Sequence, residues 1–123
     1  MGKNEDALKY YKKALGINGN IKNQQGVANN LCNIGIIYSS SGDFEKTLKL
    51  LQRAFDIYKR NGNKELKAKC LLNIGSVYME LGKFNETLKC YTEALIIFKS
   101  IGLHDKVKII QDKINTIKAD GLN

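Results

Sequence analysis

The sequence predicts an all-α protein of antiparallel helix hairpins packed as successive repeats, about six helices in 123 residues. Three observations carry that prediction. A block of forty residues occurs twice in tandem. Its apolar residues recur at helical spacing, and glycines fall where each apolar stripe stops, in a chain with no proline to break a helix.

The duplication is the strongest of the three. Residues 28–67 laid over 68–107 without a gap give 15 identities in 40 positions. They include Leu31/Leu71, Asn33/Asn73, Ile34/Ile74, Gly35/Gly75, Tyr38/Tyr78, Gly42/Gly82, Phe44/Phe84, Thr47/Thr87, Ala54/Ala94 and Gly62/Gly102. Identities of that number, concentrated on Gly, Ala and large apolar types, mark a duplicated packing unit.

The elements follow in order within a single domain over 1–123. Residues 4–19 form a helix in which Ala7, Tyr11 and Ala14 repeat the spacing of Thr47, Leu51 and Ala54. This is the second helix of a repeat without its first. Such a start suggests a piece of a longer array, or a small protein that pairs with another copy. A full repeat occupies 24–62. Val27, Leu31, Ile34 and Tyr38 form one helical face, which Gly42 ends; Phe44, Leu48, Leu51, Phe55 and Tyr58 form the next, which Gly62 ends. A second repeat over 64–102 follows the same plan, with Leu71, Ile74, Val77 and Tyr78, then Phe84, Leu88, Tyr91, Leu95 and Phe98. Asp43 can cap the helix after it, whereas Lys83 at the same place cannot, so the later helix frays more easily. Connections of about three residues force each pair to be antiparallel. Residues 105–119 keep Val107, Ile110, Ile114 and Ile117 but put Asn115 and Lys118 where the repeats have Gly and Tyr. That pattern predicts a capping helix with one polar face.

Gly35 and Gly75 sit in mid-helix, where glycine costs about 1 kcal/mol relative to alanine. The expectation is that both are kept for close backbone approach, with Ala54 and Ala94 serving the same end where hairpins stack.

At this point the residues resemble the tetratricopeptide repeat family. Its pattern is carried by Leu31, Ile34, Gly35, Tyr38, Gly42, Phe44, Thr47, Leu51 and Ala54, and again by Leu71, Ile74, Gly75, Tyr78, Gly82, Phe84, Thr87, Tyr91 and Ala94. Leu and Thr stand where the family usually has Trp and a small Ala. The period is 40 instead of 34, with no terminating proline. That longer unit looks like the subclass found in G-protein-regulator adaptors, kinesin light chains and bacterial peptide-sensing regulators. The resemblance implies a right-handed α-solenoid whose first helices line a concave groove that holds an extended peptide or a partner helix.

Helical spacing puts Asn29, Cys32, Asn33, Ile36, Ser39 and Ser40 on the groove side of one repeat, and Lys69, Leu72, Asn73, Ser76, Met79 and Glu80 in the next. Asn33 and Asn73 lead this set. Asparagine has poor helix propensity, yet it recurs in both units, and its amide can both donate to and accept from a peptide backbone. One family subtype grips carboxylate tails of chaperones with Lys and Asn. Here Asn73 matches one such position and Lys113 can supply a charge, but Cys32, Ile36 and Ile109 stand where Lys, Asn and Lys are needed, so weak or no binding of those tails is expected.

Composition narrows the function classes. Net charge is +8, from 20 Lys and Arg against 12 Asp and Glu, with the two signs interleaved. Cys32, Cys70 and Cys90 are odd in number and share no short spacing, which favours a reducing compartment and predicts a cytoplasmic location. No apolar run approaches the ~20 residues of a membrane span. His104 is expected at an exposed loop or helix start, the cysteines have no zinc spacing, and no phosphate-cradling loop occurs. The sequence therefore predicts no enzyme, no cofactor and no metal. The expected function is a non-catalytic scaffold binding a peptide or helix of a partner protein, an acidic one being favoured by the basic balance. Single-stranded RNA binding is the alternative from another class, disfavoured because Lys69 is the one cation of the predicted groove and no aromatic lies there for base stacking. A further alternative is a homodimer through the terminal half repeat, where Tyr10 and Tyr11 lack a covering helix.

Overall fold

The computed structural model describes residues 2–20 and 23–121, and among them it contains six α-helices and no strand. In chain order they are α1 (Gly2–Asn20), α2 (Gln24–Ser40), α3 (Phe44–Arg60), α4 (Lys64–Glu80), α5 (Phe84–Ser100) and α6 (His104–Gly121). The expected span 1–123 includes positions 1, 21–22 and 122–123, which lie outside the described residues.

Local chemistry sets the helix ends. The three-residue connections at 41–43, 61–63, 81–83 and 101–103 each hold one glycine in the left-handed region, Gly42, Gly62, Gly82 and Gly102, with φ between 72 and 82°. A side chain is strained there, so glycine is the residue that lets the chain turn at once. After Gly42 and Gly82 the chain folds back tightly: Asp43 N–H donates to the Tyr38 carbonyl at 2.9 Å, and Lys83 N–H to the Tyr78 carbonyl at 2.8 Å. At helix starts, Asn23, Asp43 and Asn63 accept from the backbone N–H groups of Gly26, Lys46 and Leu66. Lys83 makes no such bond. The asymmetry expected between Asp43 and Lys83 is therefore present, and two asparagine caps join it.

The chain divides into two compact units, Met1–Gly62 and Asn63–Asn123. In the first, α2 packs against both α1 and α3. Val27, Leu31 and Ile34 of α2 are buried with Leu51, Ala54, Ile57 and Tyr58 of α3. In the second, α5 packs against α4 and α6. Leu71, Ile74 and Val77 of α4 are buried with Tyr91, Ala94, Leu95 and Phe98 of α5 and with Ile110, Ile114 and Ile117 of α6. Each fully buried large apolar side chain contributes roughly 1.5–3 kcal/mol.

The small residues behave less uniformly than expected. Ala54 and Ala94 are both fully buried. Gly75 is also a close-contact residue: a Cβ built there would lie 2.7 Å from the Tyr91 ring and 3.1 Å from the Cys90 Cβ. Gly35 is not so constrained. Its Cβ would meet Leu50 and Leu51 at 3.6 Å, an ordinary van der Waals distance. The reason lies on the facing helix, where residue 51 is a leucine and residue 91 a tyrosine whose flat ring reaches the α4 backbone.

Both buried threonines return their hydroxyls to backbone. Thr87 donates to the Lys83 carbonyl at 3.0 Å, while Thr47 lies 2.9 Å from the Asp43 carbonyl and 3.1 Å from that of Gly35 across the hairpin.

Candidate functional site

In the second unit, the absent side chain at Gly75 lets the Tyr91 ring rest on α4, and the phenol is thereby carried to Ser76, Oγ to hydroxyl 3.1 Å. Tyr91 is almost wholly buried and lines a cleft between α4 and α6. Met79 of α4, Tyr91, and Asp112, Lys113, Thr116 and Ile117 of α6 line a space of about 310 Å³. A neighbouring hollow of about 360 Å³ shares Met79, Thr116 and Ile117 and adds Phe84 and Asp120. Met79, the Tyr91 ring and Ile117 are the apolar part of the first lining; the exposed Asp112, Lys113 and Thr116 add a carboxylate, an ammonium and a hydroxyl. Such a surface can desolvate an apolar side chain while its edge meets a polypeptide backbone.

Of the sequence-predicted residues on α4, Met79 lines this cleft and Ser76 meets the hydroxyl of Tyr91, which lines it. Leu72 and Asn73 are half-buried, and Glu80 is exposed. Lys69 is half-buried and paired with Glu65 at 3.1 Å along its own helix. The α6 contribution was not among the predicted site residues. A signal for it existed: forty positions on, Asp112, Lys113 and Thr116 stand in register with Leu72, Asn73 and Ser76. The expectation of a cap rests on Asn115 and Lys118, which lie on another side of the same helix.

The first unit presents a different surface. Helix α2 has no charged residue in its 17 positions, although Lys, Arg, Asp and Glu make up 26% of the chain. Asn29 is exposed and its amide oxygen accepts from the Tyr58 hydroxyl, which fixes the amide plane. Cys32 Sγ lies 3.9 Å from the same hydroxyl. Asn33 and Ser39 are half-buried, Ile36 is 48% exposed, and Ser40 donates to the Ile36 carbonyl at 3.2 Å. This face offers amides, a thiol and an isoleucine, with no formal charge.

Ionisable groups show little chemical activation. The Cys90 thiol is pushed up from its ordinary value, first by burial and then by Glu93 and Glu86, which keeps it protonated. Cys70 is buried, and His104 is the exposed first residue of α6. No group of three or more His, Cys, Asp or Glu among the described residues could hold a metal ion. None of the described helices is long and apolar enough to cross a membrane.

Comparison with known proteins bears on what this geometry serves. Two tetratricopeptide repeat models match, one over residues 1–60 and the other over 68–100. The chain belongs to the tetratricopeptide repeat family. Repeats of this family generally mediate protein–protein interaction and are typically non-catalytic, so at that level the chain is an interaction scaffold. Solved structures agree on the fold. BtubC (BKLC) from P. vanneervenii superposes with a TM-score of 0.70 at 18% identity over 96% of this chain. A P. anserina protein described as a kinesin light chain with nearly identical TPR-like repeats gives 0.78 at 13% identity over 98%. A variant of that P. anserina protein gives 0.59 at 13% over 99% of this chain and 70% of its own. This chain spans 57% and 60% of the first two chains' lengths. No curated protein matches the sequence.

Proposed function

We propose that this tetratricopeptide repeat chain holds an extended segment of a partner protein in the cleft between α4 and α6, one apolar side chain of the segment entering between Met79 and Ile117. The observation that carries the reading is the cleft itself: about 310 Å³ with Met79, Tyr91 and Ile117 inside and Asp112, Lys113 and Thr116 at the edge. Asn73, half-buried on the same helix, supplies an amide able to hold a peptide backbone in either direction. The uncharged face of α2 around Asn29, Asn33 and Ile36 is a second surface, offering amides without the cleft's charges. Net charge of +8 favours encounter with an acidic segment, an effect that weakens as salt rises.

Mixed charge at the cleft edge and a charge-free α2 favour a polypeptide over a phosphate backbone, which calls for a row of cations. The test is selection of binders from a random peptide display library, with affinities measured by fluorescence polarisation. Met79→Arg is expected to weaken selected peptides at least about ten-fold and Asn73→Ala about three- to ten-fold, the range in which one buried contact or hydrogen bond falls. Binders indifferent to both substitutions would overturn the reading. Saturable binding of single-stranded RNA, lost in high salt, would replace it.

A further inference from the structure

Helices α3 and α5 hold the same place in their two hairpins, yet the sides they turn to solvent carry different charge. On α3, Lys46, Lys49, Arg53 and Arg60 are all exposed. They stand three, four and seven residues apart in turn. That spacing sets them within about 60° of one another around the helix and along about 21 Å of its length. The stripe lies away from Thr47, Leu51, Ala54 and Tyr58, the buried side of the helix, on which α2 packs. At the same positions α5 has Glu86, Lys89, Glu93 and Ser100. Over its whole length α3 has five basic and two acidic residues, whereas α5 has two of each. Thr47 and Ala54 of the buried side recur as Thr87 and Ala94, so the hairpin plan is shared and the outer stripe is not.

Within the chain these cations are little used. Lys49 meets Glu45 at 3.7 Å, but the two side chains are 75% and 85% exposed, so the pair is weak. Lys46 Nζ lies 5.0 Å from the centre of the Tyr38 ring, which holds one ammonium in place at the turn end of the stripe. Among the described residues no carboxylate pairs with Lys46, Arg53 or Arg60. The second acid on this side, Asp56, accepts from the Gln52 amide at 3.2 Å instead.

The order of charge along this face selects its occupant. It runs Lys46, Lys49, Arg53, Asp56, Arg60, with Glu45 beside the first turn. A phosphate chain, negative at every step, would be repelled at Glu45 and Asp56, and no aromatic side chain is exposed on α3 to stack a base. An extended strand, whose same-side residues recur every ~6.7 Å, falls out of step with gaps of about 4.5, 6 and 10.5 Å. A helix repeats the spacing itself. It can set glutamates against the cations and a lysine against Asp56, and each arginine can hold a carboxylate through two parallel N–H bonds. We propose that the outer face of α3 is a docking surface for an acidic α-helix of a partner protein. That helix lies along α3 with carboxylates on Lys46, Lys49, Arg53 and Arg60 and a basic residue opposite Asp56. The surface shares no residue with the α4–α6 cleft and needs no apolar side chain to enter.

Fluorescence anisotropy on the full chain tests this, with helix-stabilised peptides carrying that charge order, one for each direction along α3, and a control of the same composition in scrambled order. One direction is expected to bind one-to-one at low ionic strength and to weaken as salt rises, the control binding at least about ten-fold less tightly. Lys46→Glu combined with Arg53→Glu copies Glu86 and Glu93 of α5 at exposed sites. It should weaken the peptide at least about ten-fold while the circular dichroism spectrum stays helical. A peptide whose two facing glutamates are changed to lysine should bind that variant better than it binds the original chain. Met79→Arg should leave every affinity unchanged. No binding by either direction, equal binding of the scrambled control, or indifference to the double reversal overturns the proposal. Loss of binding in Met79→Arg places the peptide in the cleft and overturns it too. Absence of the charge-swap rescue overturns the stated pairing, and saturable binding of single-stranded RNA lost in the same double reversal gives the stripe to nucleic acid instead.

Discussion

The hairpins α2–α3 and α4–α5 descend from one pattern, yet each is locked by a different pair of residues. In α2–α3 the lock is polar: near the open ends of the two helices the Tyr58 hydroxyl donates to Asn29, and near the turn Thr47 reaches the Gly35 carbonyl. In α4–α5 position 58 has become Phe98 and position 29 has become Lys69, so that bond cannot form. The phenol appears instead at 91, where the first unit has Leu51, and it binds Ser76. The same glycine therefore does two jobs. Gly75 makes room for an aromatic ring, whereas Gly35 faces leucines at comfortable distance and contributes a carbonyl. A repeated letter fixes a position in the fold; its partner fixes what the position requires.

Alanine at the two glycines is the sharpest way to break this comparison, with the largest expected effect. At 75 the new methyl meets the Tyr91 ring at 2.7 Å in a packed interior. Overpacking of that kind costs roughly 1–3 kcal/mol, only partly offset by about 1 kcal/mol of gained helix propensity. At 35 the same methyl fits, so Gly35→Ala should be neutral or stabilise by up to about 1 kcal/mol. Urea denaturation midpoints should thus move in opposite directions, or at least differ clearly. Tyr91→Leu, which copies the first unit, should reduce the cost of Gly75→Ala when the two are combined. Equal losses at both glycines would show that the ring contact is not what distinguishes the units.

How much of this was readable beforehand divides along the same line. Helices, hairpins and glycine stops follow from periodicity and from left-handed turns, which are local properties, and residues 28–107 state them twice. Asp43 against Lys83 was equally local. Gly35 against Gly75 was not, because the difference depends on Leu51 and Tyr91 acting from another helix. Cleft residues on α6 were hidden for a related reason. Lys113 and Thr116 continue the face of Asn73 and Ser76 in register, but the loss of Gly and Tyr from that helix reads as a cap, with Lys113 only a spare charge beside the groove. Both features are present: one side of α6 is exposed and polar at Asn115 and Lys118, and another lines the cleft.

Helix caps give a smaller effect that sharpens the contrast. Asp43→Ala removes the bond to Lys46 N–H and should cost about 1 kcal/mol. Lys83→Asp should add the missing bond at the start of α5 and stabilise by a similar amount, about 0.5–2 kcal/mol, helped by placing a negative charge at the helix N-terminus. Thermal or urea midpoints would register both. Amide hydrogen exchange in the first turn of α5 should slow in the Lys83→Asp protein, and an unchanged rate would mean that this turn is held by packing alone.

The smallest expected change concerns the thiols, and it again separates the units. Cys90 is half-buried behind Glu93 and Glu86, and burial first, then those carboxylates, raise its pKa. A raised pKa means less thiolate at pH 8, so alkylation of Cys90 by iodoacetamide should be slower than that of a free thiol and should accelerate as pH rises. The stability sign follows: the protonated thiol is favoured in the folded chain, so its contribution is present below the ordinary thiol pKa and fades as pH climbs through the raised one. Glu93→Gln removes the second of these causes and should speed alkylation modestly without exposing the sulfur. Site-resolved labelling by mass spectrometry would read this. If Glu93→Gln leaves the Cys90 rate unchanged across pH 7–10, access and not charge controls the thiol, and the sulfur is simply part of the wall that also meets Gly75.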